Sequence, residues 1–176
     1  MKKIILLFII LGSLLPTFAL NQERNLEAVF LGRFSKFIAL PKKESQKFII
    51  TLIDENPFEN LLDELYADQT INNLPVEVHY VTTIEDIGES DVLFITLNSI
   101  KEIQKAIAYA QKHSIVSISE KRGFAERGGI IQLGFISQKP YFIVNNAAAI
   151  KSQIIISSQL LAIAKKVIKD ENNEVH

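Results

Sequence analysis

The sequence contains no cysteine and no tryptophan, and a single methionine. The missing cysteine excludes disulfides, thiolate metal ligands and cysteine nucleophiles together. Neither sign of charge prevails: 19 Lys and Arg stand against 20 Asp and Glu, for a formal net charge of −1. A nucleic-acid binder normally carries a basic footprint, which this balance does not provide. Low-complexity linkers and internal repeats are also lacking. At 48% hydrophobic and 22% charged residues the composition is that of a globular chain rather than a disordered one, and 176 residues suit one domain.

Long apolar runs are missing too, except at the start. Met1-Lys2-Lys3 is short and basic, Ile4 to Leu15 is apolar apart from Gly12 and Ser13, and Thr17-Phe18-Ala19 places small residues at the −3 and −1 positions of a cleavage site. This is the three-part pattern of a secretory signal peptide. The run is shorter than the roughly 20 residues that cross a bilayer. Cleavage after Ala19 is expected, dividing the chain into a signal peptide over 1–19 and one domain over 20–176; losing Lys2 and Lys3 takes the charge from −1 to −3. No cysteine follows the site, so a lipid-anchored form is excluded.

The chain from Leu20 onward reads as an α/β domain. Leu26, Val29, Phe30, Phe34, Phe37 and Ile38 lie on one helical stripe, with Asn21 as its cap and Pro41 as its stop. Phe34 and Phe37 are expected to be buried and to pin this helix to the sheet. The runs 48–53, 76–81, 92–95 and 115–118 read as strands, alternating with helices that start at Asn56-Pro57 and at Asn98 or Ser99. Such alternation marks a Rossmann-like, mostly parallel sheet with helices on both faces. The short link through Glu85 to Gly88 is the weakest of its crossovers. Then 130–135 and 141–144 form a C-terminal antiparallel hairpin turning between Ser137 and Pro140, and Asn145-Asn146 caps a closing helical region that reaches Ile168. Ile154-Ile155-Ile156 fits strand equally well.

Motifs for chemistry are few. No G-x-G-x-x-G is present; Gly123 and Gly128 have P-loop spacing, but Gly129 stands where lysine is needed and the pair leads into a strand. Gly128-Gly129 therefore reads as a tight turn. His79, His113 and His176 are scattered and lack acidic residues at metal-binding offsets, so no metal and no cofactor is expected. There is no G-x-S-x-G nucleophile elbow. Asp54 sits at the end of the first strand, where open α/β sheets bind ligands. Arg33 interrupts the apolar stripe, and a charge there must snorkel, pair or meet a partner.

Four stretches, in order, resemble the YfiR-like family of small exported bacterial proteins. Ala28 to Pro41 is similar to its opening Y-x-x-N-F-A-K-F-x-x-W-P, and Ile53 to Phe58 to its strand-end G-x-x-P-F turn. Ser90-Asp91-Val92-Leu93-Phe94-Ile95 is similar to C-[DH]-[VI]-L-F-I. From Val116 to Ala164, the sequence around Phe124, Gly128-Gly129-Ile130-Ile131, Phe142 to Asn145 and Ser157 to Ala162 follows F-x-x-x-G-G-M-I, F-E-I-N and S-S-x-L-L-x-L-A. Leu40 replaces the family's Trp, Arg33 its Asn, Ile143 its acidic residue and Ser90 its frequent Cys. Redox control through disulfides therefore does not carry over.

The resemblance implies a periplasmic regulator and not an enzyme. It implies binding to, and repression of, the exported sensor domain of a membrane diguanylate cyclase, which controls cyclic di-GMP and biofilm. A small-ligand-binding module feeding a sensor kinase is the alternative, and a homodimer stays open. Arg33, Lys36, Arg127 and Asp54 are the expected partner or ligand contacts. Phe34, Phe37, Pro41, Gly128, Gly129 and Asn145 are the expected structural positions.

Overall fold

The computed structural model describes residues 15–41 and 45–170, with side chains from Gln22 onward. Residues 1–14, which hold most of the expected signal peptide, and the polar tail beyond Asp170 lie outside the described residues. The chain opens with α1 (Leu15–Ser35), β1 (Ile38–Ala39), β2 (Phe48–Ile53), α2 (Leu61–Tyr66), β3 (Thr70–Ile71), β4 (Leu74–Val81) and β5 (Val92–Ile95). It continues with α3 (Ile100–Lys112), β6 (Val116–Ser119), β7 (Ile131–Ile136), β8 (Lys139–Asn145), α4 (Asn146–Lys151), β9 (Ile155–Ile156), α5 (Ser158–Ile163) and β10 (Lys166–Ile168).

Eight strands make one sheet in the order β10-β8-β7-β6-β5-β2-β4-β3. From β4 across to β7 the neighbours are parallel; β8 returns antiparallel to β7, β10 lies parallel to β8, and β3 is antiparallel to β4. This is the expected mixed α/β sheet. All residues of β2 and β5 are buried, as befits parallel strands covered on both sides. The pleat divides them between two cores. Val92 and Phe94 face Leu31 and Phe34 of α1 and Leu62 of α2, whereas Leu93 and Ile95 join Ile103, Ala106, Ile107 and Ala110 of α3 and the ring of Phe124.

The link from β4 to β5 passes over β2 without a helix. Ile87, 1% exposed, fills the space a helix would occupy, and the Asp91 carboxylate accepts from Ile49 N at 2.8 Å to fix the start of β5. Both hairpins turn on two left-handed residues, Asn72-Asn73 (φ 53 and 66) and Ser137-Gln138 (φ 48 and 64), the geometry that matches strand twist.

Several boundaries differ from the sequence reading. Helix α1 runs through Asn21, so that residue does not cap it, and it stops at Ser35 rather than at Pro41. Lys36 N and Phe37 N bond back to the carbonyls of Arg33 and Phe34, after which Ile38-Ala39 pairs with Ile155-Ile156. Pro41 therefore follows β1. Phe37 falls in the turn and is 37% exposed, against the expectation of burial; Phe34 is 3% exposed. The buried face of α1 is Glu27, Ala28, Leu31, Phe34 and Ser35, about one residue away from the predicted stripe. The Asn56 side chain caps a turn, accepting from Phe58 N and donating to Glu59 O, and α2 begins only at Leu61. The closing helical region is two short helices with β9 between them, and it ends in β10 instead of in helix.

Candidate functional site

Arg33 and Lys36 are brought together. Both are exposed and share a cleft of about 320 Å³ whose other walls are Val29, Gly32, Leu65, Tyr66, Gln69, Thr70 and Ile71. Among the described residues neither cation has a salt-bridge partner. Tyr66 builds the floor. Its hydroxyl donates to Ala28 O and accepts from Gly32 N, both at 2.7 Å, so it inserts into the α1 ladder between groups that would otherwise pair with each other. Only glycine fits there: a Cβ on residue 32 would lie 2.5 Å from the Tyr66 oxygen. Burial pushes the Tyr66 phenol up to about 12, so it stays protonated and keeps donating. The cleft is thus apolar below, cationic at the lip, and locked in shape by one tyrosine.

A second cluster joins α1 to the carboxyl end of β6. Arg24 Nη1 lies 2.7 Å from Glu27 Oε2 and 2.5 Å from Glu120 Oε1. Glu27 is 1% exposed. Burial first, and then its hydrogen bond to and repulsion from Glu120, raise the Glu27 carboxyl to about 9, although Arg24 pulls the other way. Sequence reading missed this cluster. The available signal was Glu27 beside Ala28 and four residues from Leu31, on the face that packs; its partner Glu120 is remote in sequence.

The other expected contacts lie apart from this cleft. Arg127 lines a polar cleft of about 520 Å³ with Glu126, Lys151 and Lys169. Its guanidinium folds back to donate to Arg122 O at 2.7 Å and so closes its own loop. Glu126 is held below the ordinary carboxylate range, chiefly by its hydrogen bond to Lys166. Asp54 stands exposed at the end of β2 with φ 82, next to the point where the strand order reverses. The mouth of that crevice is laced by Thr96, whose hydroxyl bonds Ile53 O, Glu55 O and Glu55 N. Gly128 adopts φ +100 and Gly129 sits against the Phe124 ring. Asn145 caps α4 by accepting from Ala148 N and donates to Ala125 O, tying the Gly128-Gly129 loop to the sheet. His79 pairs with Glu77, and His113 stacks on Tyr109. Among the described residues no group of three or more His, Cys, Asp or Glu is placed to hold a metal ion, and no helix is long and apolar enough to cross a membrane.

The fold and these surface clefts define a small doubly wound α/β domain. Residues 24–165 match the family model described as DUF4154, YfiR/HmsC-like, and the chain belongs to that family. The family is known as periplasmic regulators of cyclic di-GMP signalling, and it is regulatory and non-catalytic. No curated protein matches the sequence. Among solved structures, a conserved domain protein from Vibrio cholerae O1 biovar El Tor is similar at TM-score 0.52 and 16% identity, covering 68% of this chain and 54% of that one. The ABC domain from Streptococcus pneumoniae in complex with L-Trp is similar at TM-score 0.50 and 15% identity, covering 69% and 55%. At these identities the likeness is one of fold, and this chain spans about half the length of each.

Proposed function

We propose that this protein is an exported repressor that binds the periplasmic sensor domain of a membrane diguanylate cyclase and holds it inactive. The family match over residues 24–165 carries this reading. Repression is a population shift: the regulator binds the inactive sensor conformation more tightly, and that difference in affinity sets the strength of the hold. The cationic lip of Arg33 and Lys36 over an apolar floor suits an acidic, partly apolar segment of the sensor. Arg127 and Asp54 are further contact candidates on separate parts of the surface.

Deleting the gene should raise cellular cyclic di-GMP, and overexpression should lower it. Unchanged cyclic di-GMP, with no exported sensor domain co-purifying, overturns the reading. Arg33→Glu with Lys36→Glu should weaken the complex about tenfold or more, equivalent to about 1.4 kcal/mol. Unfolding stability should change by no more than about 0.5 kcal/mol, because both groups are on the surface. Wild-type binding by this double variant would place the contact elsewhere. Export is checked separately: mass spectrometry of the periplasmic protein should find Leu20 at its N-terminus, and intact Met1 in the membrane fraction would contradict cleavage.

A further inference from the structure

Glu27 is almost wholly enclosed, and the charged groups facing it are countable. Its own helix contributes Arg24 and Glu23; the end of β6 contributes Glu120; β7 contributes only the uncharged Gly134 and Phe135 to the shared cleft of about 260 Å³. One guanidinium nitrogen, Arg24 Nη1, contacts both carboxyls, at 2.7 Å from Glu27 Oε2 and 2.5 Å from Glu120 Oε1, so the two carboxyls crowd one cation. With a proton on Glu27 the trio of Arg24, Glu27 and Glu120 is neutral; without it two carboxylates share one guanidinium, and Glu27 is the one closed off from water, while Arg24 and Glu120 stay about one third exposed. Uncompensated buried charge is costly, and carboxylates sharing one site do not both ionise readily.

We propose that Arg24, Glu27 and Glu120 form a proton-held clamp between α1 and the carboxyl end of β6, closed by one proton on the enclosed Glu27 and loosened when alkaline surroundings remove it. The direction of the linkage follows from the raised Glu27 value. Between the ordinary 4.5 and about 9 the folded chain holds a proton that the unfolded chain has lost. The clamp's contribution to stability is therefore complete at the acid end of that window and declines as pH rises through it. The clamp stands on this chain's own geometry. Its effect on regulation rests on the partner reading above: Arg33 and Lys36 ride on the same stretch of chain, Arg33 about 9 Å beyond Glu27 at 1.5 Å per residue.

Hydrogen–deuterium exchange of the exported chain, corrected for intrinsic rates, tests the clamp. Between about pH 6 and about pH 9, protection of the α1 amides should fall about tenfold or more in the wild type, the signature of a helix that opens locally. Glu27→Gln keeps a donor but has no proton to lose, and its protection should change less than about twofold over the same range. Glu120→Gln should move the fall to lower pH, since Glu27 keeps its burial but then ionises against Arg24 without a second anion beside it. The carbon-13 shift of the Glu27 carboxyl in the wild type reads the proton directly and needs no variant to fold. A protonated Glu27 at neutral pH supports the clamp. Titration at the ordinary carboxyl value, or one shared pH profile for wild type and Glu27→Gln, overturns it. Repression of a cyclase without any pH response removes the clamp's effect on regulation alone; a titrating clamp in a protein that represses no cyclase removes the partner reading alone.

Discussion

Phe34→Ala should lower the stability of the domain by about 3–5 kcal/mol, the range for emptying a buried aromatic site. Phe34 is 3% exposed; its ring stacks on Phe30 with centroids 5.5 Å apart and meets Phe142 edge-on at 5.1 Å. Such aromatic pairs add about 0.5–1.5 kcal/mol to what burial alone supplies. Phe34 also bridges α1 to β8, so its loss loosens the seat of the helix that positions Arg33 and Lys36. Phe37 is three residues further on and chemically identical, yet it lies in the turn and is 37% exposed. Phe37→Ala should cost less than about 1 kcal/mol. Urea titration of both variants, compared at unchanged slope, separates the cases. Equal losses would mean that the buried face of α1 includes position 37 after all.

That contrast shows where sequence reading reaches and where it stops. The apolar runs over 48–53 and 92–95 are legible because strands buried on both faces are built almost wholly of apolar residues, with Thr51 the one polar residue in them. The hairpin is legible because Ser137 to Pro140 separate two apolar runs; the pairing of Ile136 with Lys139 narrows the turn to Ser137 and Gln138. The orientation of α1 is not, because apolar residues there exceed what one face can bury. Leu26, Val29, Phe30 and Phe37 form a convincing stripe, yet the face that packs contains Glu27 and Ser35. A small residue, Ala28, and a carboxyl that accepts from Arg24 fit against the sheet where a larger apolar side chain does not. The closing region reads as helical, with 154–156 fitting strand equally well, because apolar residues dominate from Ala147 to Ile168; only the pairing of Ile155-Ile156 with Ile38-Ala39 decides for the strand.

The candidate site is half visible for a similar reason. Arg33 stands out as a charge in an apolar stripe, and Lys36 follows it one turn later. Their cleft, however, is made by Tyr66, which nothing local ties to Ala28 and Gly32. The Arg24–Glu120 contact joins residues 96 apart in the chain. Long-range polar pairs leave no periodic trace, so they become visible only once the strands are in register.

Gly129→Ala should destabilise the domain by about 1–3 kcal/mol or more, the usual effect of overpacking a filled core. An added Cβ would lie 2.1 Å from Cε1 of Phe124 and 2.4 Å from Cδ1 and Cζ, far inside contact distance. The ring cannot withdraw, because Phe124 is fully buried among Ile95, Ile103 and Ile107. Backbone conformation is not the cause, since Gly129 has no positive φ; its neighbour Gly128, at φ +100, is the one that needs glycine's freedom. Gly128→Ala should therefore cost about 1–2 kcal/mol through left-handed strain, and no second substitution in the core should relieve it. Gly129→Ala, in contrast, should be relieved by Phe124→Leu, which withdraws the edge of the ring. The double variant should be more stable than the sum of its single losses predicts, by about 0.5 kcal/mol or more, as expected for residues in contact. Strict additivity would mean that the methyl group meets something other than Phe124, and that the loop joining β6 to β7 is held against α3 by different contacts.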